Sequence, residues 1–277
     1  MKVLSPTIEI DGVTLHLAHP DELPIRWVGQ GETMKQLLAA WSMVGPRDLP
    51  MSPRLLGKPG VGKTTLAYAA GRALGGDVYI FQATMDTRPE DLLITPVVDH
   101  SGLIRYVASS LVTAMIRGDV AILDEGNRMS EKSWASLAPL LDTSRTIESI
   151  VAGVKVRCHP GFRFVATMND DASTYELPEY IHSRLRPQIF LDFPDRDEEK
   201  LILKENLPFS DESILEYVAG FLQSAHAADE RYTVRDGINI ARYSLKRLAA
   251  GETDIKGVLR SSVVRVLGED AVRHLDS

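Results

Sequence analysis

Apolar positions along the chain recur with two spacings, and the texture changes at Pro194. Before it, short apolar runs alternate with segments of helical period; after it, only helical period remains. Residues 8–17, "IEIDGVTLHL", alternate apolar and polar around Asp11-Gly12 and predict a hairpin, since Asp-Gly suits a type I′ turn. A helix is expected over 32–44, stopping before Gly45-Pro46. A strand follows over 53–56, then a helix from Lys63 to Gly75-Gly76 and a buried strand over 78–83. Residues 97–106 predict a second hairpin, 109–118 a helix and 120–125 a buried strand. A helix over 131–142 contains Pro139 without an obvious reason. A third hairpin spans 146–157 and turns at Ala152-Gly153; strands follow over 162–169 and 188–193. Beyond Pro194, helices are expected over 195–206, 211–230, 233–251 and 254–268, with Asp195 and Thr233 as N-caps and Gly251 as a stop. The pattern reads as an α/β domain followed by a small helical one, with boundaries at 1–26 for an N-terminal extension, 27–194 and 195–277.

Composition narrows the class. The chain has 277 residues, 44% hydrophobic and 25% charged, the balance of a globular protein. A net charge of −7 disfavours a broad nucleic-acid surface. The single cysteine, Cys158, rules out an internal disulfide, and the histidines form no ligand spacing with it. No apolar run reaches the roughly 20 residues that span a bilayer, and the N-terminus lacks a secretory apolar core. A soluble cytoplasmic protein, without a membrane role, is the expectation.

The chemistry concentrates in two stretches. "GKPGVGKT", residues 57–64, fits G-x-x-x-x-G-K-[ST] between a strand and a helix, the context that motif requires. Gly57, Gly60 and Gly62 permit backbone angles closed to other residues. Successive amides of Pro59 to Thr65, proline excepted, then form an anion nest at a helix N-terminus, with Val61 among its donors. Lys63 reaches the outer phosphates of a nucleotide and Thr64 offers a hydroxyl to Mg2+. The second stretch, "VAILDEGNRMS" (120–130), ends a buried strand in Asp124 and Glu125. Asp124 suits a Mg2+ site and Glu125 suits activation of an attacking water. Small-molecule kinases use the same loop without needing such a glutamate, so the pair tilts the reading toward ATP hydrolysis.

Together these motifs resemble the AAA+ ATPases, most closely the MoxR-like branch. The resemblance runs from "WVGQGETMKQLL" (27–38) to the helices near 250. It implies a P-loop core with a parallel sheet flanked by helices, then an all-helical lid. "WVGQ" is similar to the segment flanking the adenine, and the two stretches are similar to the Walker A and Walker B motifs. Gly126 stands where the family often has a hydrophobic residue before Asn-Arg. "HPGFRFVATMND" (159–170) resembles the sensor 1 strand, which maps that role to Asn169. "YIHSRLRPQ" (180–188) resembles the arginine-finger region, with Arg184 the better match and Arg186 the alternative. "TVRDGINIAR" (233–242) resembles the start of the sensor 2 helix and makes Arg235 the candidate, although valine replaces the usual proline and Arg242 lies seven residues on. The hairpins at 97–106 and 146–157 match the helix-2 and pre-sensor-1 inserts.

The resemblance further implies a homo-oligomeric ring, a hexamer, because an arginine finger acts in trans on a neighbour's nucleotide. It implies a remodelled protein target and a separate von Willebrand factor A domain partner. A nucleic-acid motor, with Lys155 and Arg157 lining a pore, and an ATP-regulated scaffold with little turnover are the rival readings. Arg128 finds no phosphate in its own site and is expected to face a neighbouring subunit or the hairpins.

Overall fold

The computed structural model describes residues 6–24, 27–170 and 176–275. They form two compact units. The first holds the described residues of Met1–Pro24, with Glu32–Gly57 and Lys63–Phe190.

This unit opens with the hairpin β1 (Thr7–Ile10) and β2 (Val13–His16), turned at Asp11 and Gly12 with φ of 51° and 80°. Then come α1 (Gly31–Trp41), β3 (Arg54–Gly57), α2 (Lys63–Ala73) and β4 (Val78–Gln82). A short α3 (Pro89–Leu92) precedes a second hairpin, β5 (Ile94–Val98) and β6 (Ile104–Ala108). Next are α4 (Ser110–Arg117), β7 (Val120–Asp124) and α5 (Glu131–Leu141). The third hairpin, β8 (Thr146–Ser149) and β9 (Val154–Arg157), leads to β10 (Arg163–Asn169), α6 (Glu179–His182) and β11 (Gln188–Phe190).

Five strands form a parallel sheet in the order β11-β3-β10-β7-β4. Strand β7 lies between β10 and β4 in the sheet, and helices α2 and α4 pack against it, so its side chains are covered. That is why Val120, Ala121, Ile122 and Leu123 are all apolar and at most 2% exposed. The same covering leaves only the strand's C-terminal end open to a ligand. Helix α2 lies close on this sheet because Gly71 has no side chain: a Cβ there would meet Val78 Cγ2 at 2.7 Å. Helix α4 is bounded as its sequence dictates. Ser109 caps its start by accepting from Val112 N, and Gly118 closes it at φ 83°.

Three details differ from the pattern-based expectation. The N-terminal hairpin does not stand alone, since β2 pairs in parallel with β6 in a four-stranded sheet ordered β1-β2-β6-β5. Alternation within 8–17 carries no record of a partner some 90 residues on. The second hairpin starts earlier, at Ile94, because Pro96 is tolerated in the edge strand β5. Pro139 lies in the last turn of α5; it removes one N–H from the helix ladder, and the helix ends two residues on at Leu141.

The second unit holds Lys58–Gly62, Leu191–Ser277 up to residue 275, and the described part of Ile25–Gly31. Its helices are α7 (Arg196–Asn206), α8 (Glu212–Ala227), α9 (Val234–Ala249) and α10 (Ile255–Leu267), followed by a 3-10 turn, Glu269–His274. Leu203, Val218, Leu222, Ile240, Leu259 and Val263 form its core. Asp195 caps α7 through Glu198 N, and Thr233 with Asp236 makes a capping box on α9. Among the described residues no helix is long and apolar enough to cross a membrane.

Gly71→Val forces the new side chain into Val78 and Val120. It is expected to lower the unfolding free energy by about 1–3 kcal/mol, read from the urea midpoint. An unchanged midpoint would show that α2 does not sit this close to the sheet.

Candidate nucleotide site

The C-terminal ends of β3, β7 and β10 meet at one place, because these strands are neighbours running the same way. Each delivers one part of the site. Strand β3 ends in Gly57 and releases the glycine-rich loop, β7 ends in Asp124, and β10 ends in Asn169.

The loop's glycines occupy backbone space closed to other residues: φ is 154° at Gly57, 82° at Gly60 and 95° at Gly62. Gly60 is also short of room, since a Cβ there would lie 2.3 Å from Thr233 Cγ2. The loop therefore touches the cap of α9, two residues before Arg235. Lys63, 6% exposed, turns back over the loop and donates from Nζ to the Gly57 carbonyl at 2.9 Å. Trp27 lies against the loop at its other glycine, its ring 3.0 Å from where a Gly62 Cβ would stand.

Asp124 is the hub. Its Oδ1 accepts from Thr64 Oγ1 and from Thr167 Oγ1, each at 2.5 Å. The Thr167 oxygen in turn accepts from Glu125 N at 3.0 Å. Glu125 adopts left-handed angles, φ 54° and ψ 39°, which a non-glycine residue holds only when its surroundings impose them. The sharp turn thus falls on Glu125, and Gly126 serves another purpose. A Cβ at Gly126 would stand 3.0 Å from the ring of buried Trp134, so the glycine makes room for that indole.

Both oxygens of the Glu125 carboxylate are engaged. Asn169 Nδ2 donates to Oε1 at 3.3 Å. Arg128 Nε stands 2.6 Å from Oε2, off the hydrogen-bonding direction, so that contact is an ion pair. Arg128 pairs within its own chain, because the 3-10 turn Gly126–Arg128 brings it three residues back onto Glu125. Asn127, 7% exposed, donates from Nδ2 to the Asn169 carbonyl at 2.8 Å and ties that turn to β10.

Arg184 donates to Asp142 Oδ2 at 2.9 Å and to the Tyr180 carbonyl at 2.7 Å, within its own chain. Thr143 N–H first, and then Arg184, hold the Asp142 carboxyl below its ordinary range. Arg186 is exposed. Arg235 and Arg242 are exposed on α9. Cys158 offers no reactive thiolate, as burial pushes its thiol up to about 11.

The donor set fits a nucleotide with its divalent ion: a hydroxyl and a carboxylate converge at the start of α2, beside a loop whose glycines expose backbone amides. Residues 54–185 match the profile of the AAA domain, dynein-related subfamily. That stretch is just under half of the chain, and over it the chain is similar to this AAA subfamily. The order of the five parallel strands and the helical region after them make this the AAA+ P-loop fold. The chain is similar to an uncharacterized protein of Staphylococcus epidermidis, 24% identical over 60% of this chain and 65% of that protein. It is also similar to an uncharacterized Staphylococcus aureus protein, 26% identical over 63% of this chain and 68% of the other. The chain thus covers just under two thirds of the first relative and just over two thirds of the second. The Thermotoga maritima RuvB Holliday junction branch migration motor superposes with a TM-score of 0.60 at 18% identity, over 88% of this chain and 72% of that one. At that identity the likeness speaks for the AAA+ fold alone.

Sequence reading missed Thr167 and Asn127. Thr167 carried a signal: it lies two residues before Asn169, so the two share a face of β10. Thr167→Val removes a donor to Asp124 and an acceptor for Glu125 N. A loss of about 1–3 kcal/mol is expected, with Thr167→Ser near wild type by urea denaturation. Equal stability of the valine variant would refute the bridge.

Proposed function

We propose that the chain is a Mg2+-dependent ATP hydrolase of the MoxR-like AAA+ branch. The observation that carries this reading is the joint hold of Thr64 and Thr167 on Asp124, with Glu125 and Asn169 directly beside it. In this reading the amides of Gly60, Val61, Gly62, Lys63, Thr64 and Thr65 hold the phosphates, and Gly57 and Pro59 shape the loop. Thr64 and Asp124 hold Mg2+, which when bound offsets the negative charge of the phosphates. Asn169 orients the attacking water and Glu125 takes its proton. Arg128 lies against Glu125 Oε2 and crowds one of the two oxygens that a water could approach.

Arg235 reports from the helical unit on whether the outer phosphate is present. Arg184 acts in trans in a homo-oligomeric ring, a hexamer, after leaving Asp142; exposed Arg186 is the alternative. The ring remodels a protein target, with a separate von Willebrand factor A domain protein as partner. A net charge of −7 speaks against nucleic acid as the substrate, and stimulation of turnover by DNA would reverse that reading.

Glu125→Gln is expected to bind ATP normally and to lose about 10²–10⁴-fold in turnover, measured by steady-state phosphate release. Normal turnover would remove Glu125 as the base, and no turnover in wild type would favour an ATP-regulated scaffold. Arg184→Ala is expected to keep ATP binding and lose turnover by about 10³-fold or more. Wild-type turnover per subunit is expected to fall on dilution as the ring dissociates. If it stays constant down to monomer concentrations, a trans-acting arginine is wrong.

A further inference from the structure

Two buried polar atoms in the helical unit lie opposite each other. Glu199 on α7 is 0% exposed. Its Oε2 accepts from Gln223 Nε2 at 2.8 Å, while its Oε1 lies 3.4 Å from Nδ1 of His226 on α8. Among the described residues neither Oε1 nor Nδ1 has a hydrogen-bond partner. The second ring nitrogen, Nε2, lies 2.7 Å from the Tyr232 carbonyl. A carbonyl only accepts, so Nε2 carries the hydrogen, and Nδ1 of the neutral ring is a bare lone pair. A carboxylate oxygen opposite that lone pair is repulsive; one proton between them makes a hydrogen bond.

Burial pushes the Glu199 carboxyl up to about 7 and the His226 imidazole down, both toward their neutral forms. That places the proton of the pair on Glu199, facing Nδ1 across 3.4 Å. The other groups facing the pair are Asp195 at the cap of α7, Gln223 on α8, Asp192 before α7 and Lys58 from the phosphate loop.

From His226 a short contact path leads to that loop. The imidazole stacks on Phe193, with ring centroids 3.8 Å apart and planes 12° from parallel. Lys58 Nζ stands 5.5 Å from the Phe193 centroid, within cation–π range, and 2.8 Å from Asp229 Oδ1. Lys58 is the second residue of the glycine-rich motif.

We propose that Glu199 and His226 form a one-proton latch, and that Phe193 and Lys58 are positioning residues through which the latch holds the phosphate loop. This rests on the loop being a nucleotide site. With the proton in place the imidazole is pinned between Tyr232 and Glu199 and gives Phe193 a flat platform. Once the proton is lost, Oε1 and Nδ1 repel, the ring turns, and Lys58 loses its seat. The sign follows from the raised carboxyl value. The folded chain keeps a proton that the unfolded chain releases near 4.5, so the contribution to stability falls as pH rises from there toward about 7.

The test is equilibrium binding of N-methylanthraniloyl-ATP with Mg2+ to the full chain, from about pH 6 to about pH 8.5. Wild-type affinity is expected to fall roughly three- to tenfold more than that of Glu199→Gln, whose amide gives Nδ1 a permanent N–H. Lys58→Met is expected to lose the step as well. Identical pH profiles for wild type and Glu199→Gln overturn the latch, and a step retained in Lys58→Met overturns the route through Lys58. A second readout needs no nucleotide: thermal stability of wild type is expected to fall relative to Glu199→Gln between about pH 5 and about pH 7. Parallel stability curves overturn the latch even if no nucleotide binds, whereas a wild type that binds no nucleotide at any pH refutes only the nucleotide reading.

Discussion

One carboxylate oxygen organises the site. Asp124 Oδ1 receives the hydroxyls of Thr64, from the first turn of α2, and Thr167, from β10. Two charge-assisted hydrogen bonds on one atom fix the helix, the central strand and its neighbour relative to each other at the point where their ends converge. Thr167 then passes the constraint on by accepting from Glu125 N. The left-handed turn at Glu125, costly for a residue with a side chain, is held by that bond, by Asn169 and by Arg128. Without this hub the chain would have no reason to keep such angles.

The parallel sheet makes the hub possible. Because β7 is covered on both faces, its polar chemistry is confined to the strand end. Because β3, β7 and β10 are parallel, their ends coincide, and three segments far apart in sequence meet within a few ångströms. Small residues then set how closely the pieces approach. Gly71 lets α2 lie against Val78 and Val120, Gly60 admits Thr233, and Gly126 admits Trp134. In two of these cases the glycine is needed for space and not for its backbone freedom.

The helical unit adds a different kind of control. Its phosphate-loop segment is gripped through Lys58 by Asp229 and Phe193, and Phe193 rests on an imidazole that faces a buried carboxyl. Buried ionisable groups are costly unless paired. A buried carboxyl facing an imidazole is therefore more sensitive to its surroundings than the solvated ion pair of Arg196 and Glu216.

Local patterns in the sequence determined most of the elements and marked the glycine-rich loop between β3 and α2. Continuous apolar runs marked buried strands, helical periods marked helices, and Asp-Gly, Ser109, Gly118, Asp195 and Thr233 marked their ends, because those signals act over a few residues. Lys63, Thr64, Asp124 and Glu125 stood out as candidates from local motifs, whereas Asn169 was named through the family resemblance. Tertiary structure decided what distance along the chain concealed. Pairing of β2 with β6 joined two hairpins into one sheet, Thr167 became the bridge between two acids, and Arg128 turned inward onto Glu125. The partner of Glu199 was equally hidden, since α7 and α8 bring it to His226 only once they pack. Those outcomes depend on which strand lies beside which and on which faces the packed helices share, and no local pattern of hydrophobic and polar residues encodes either.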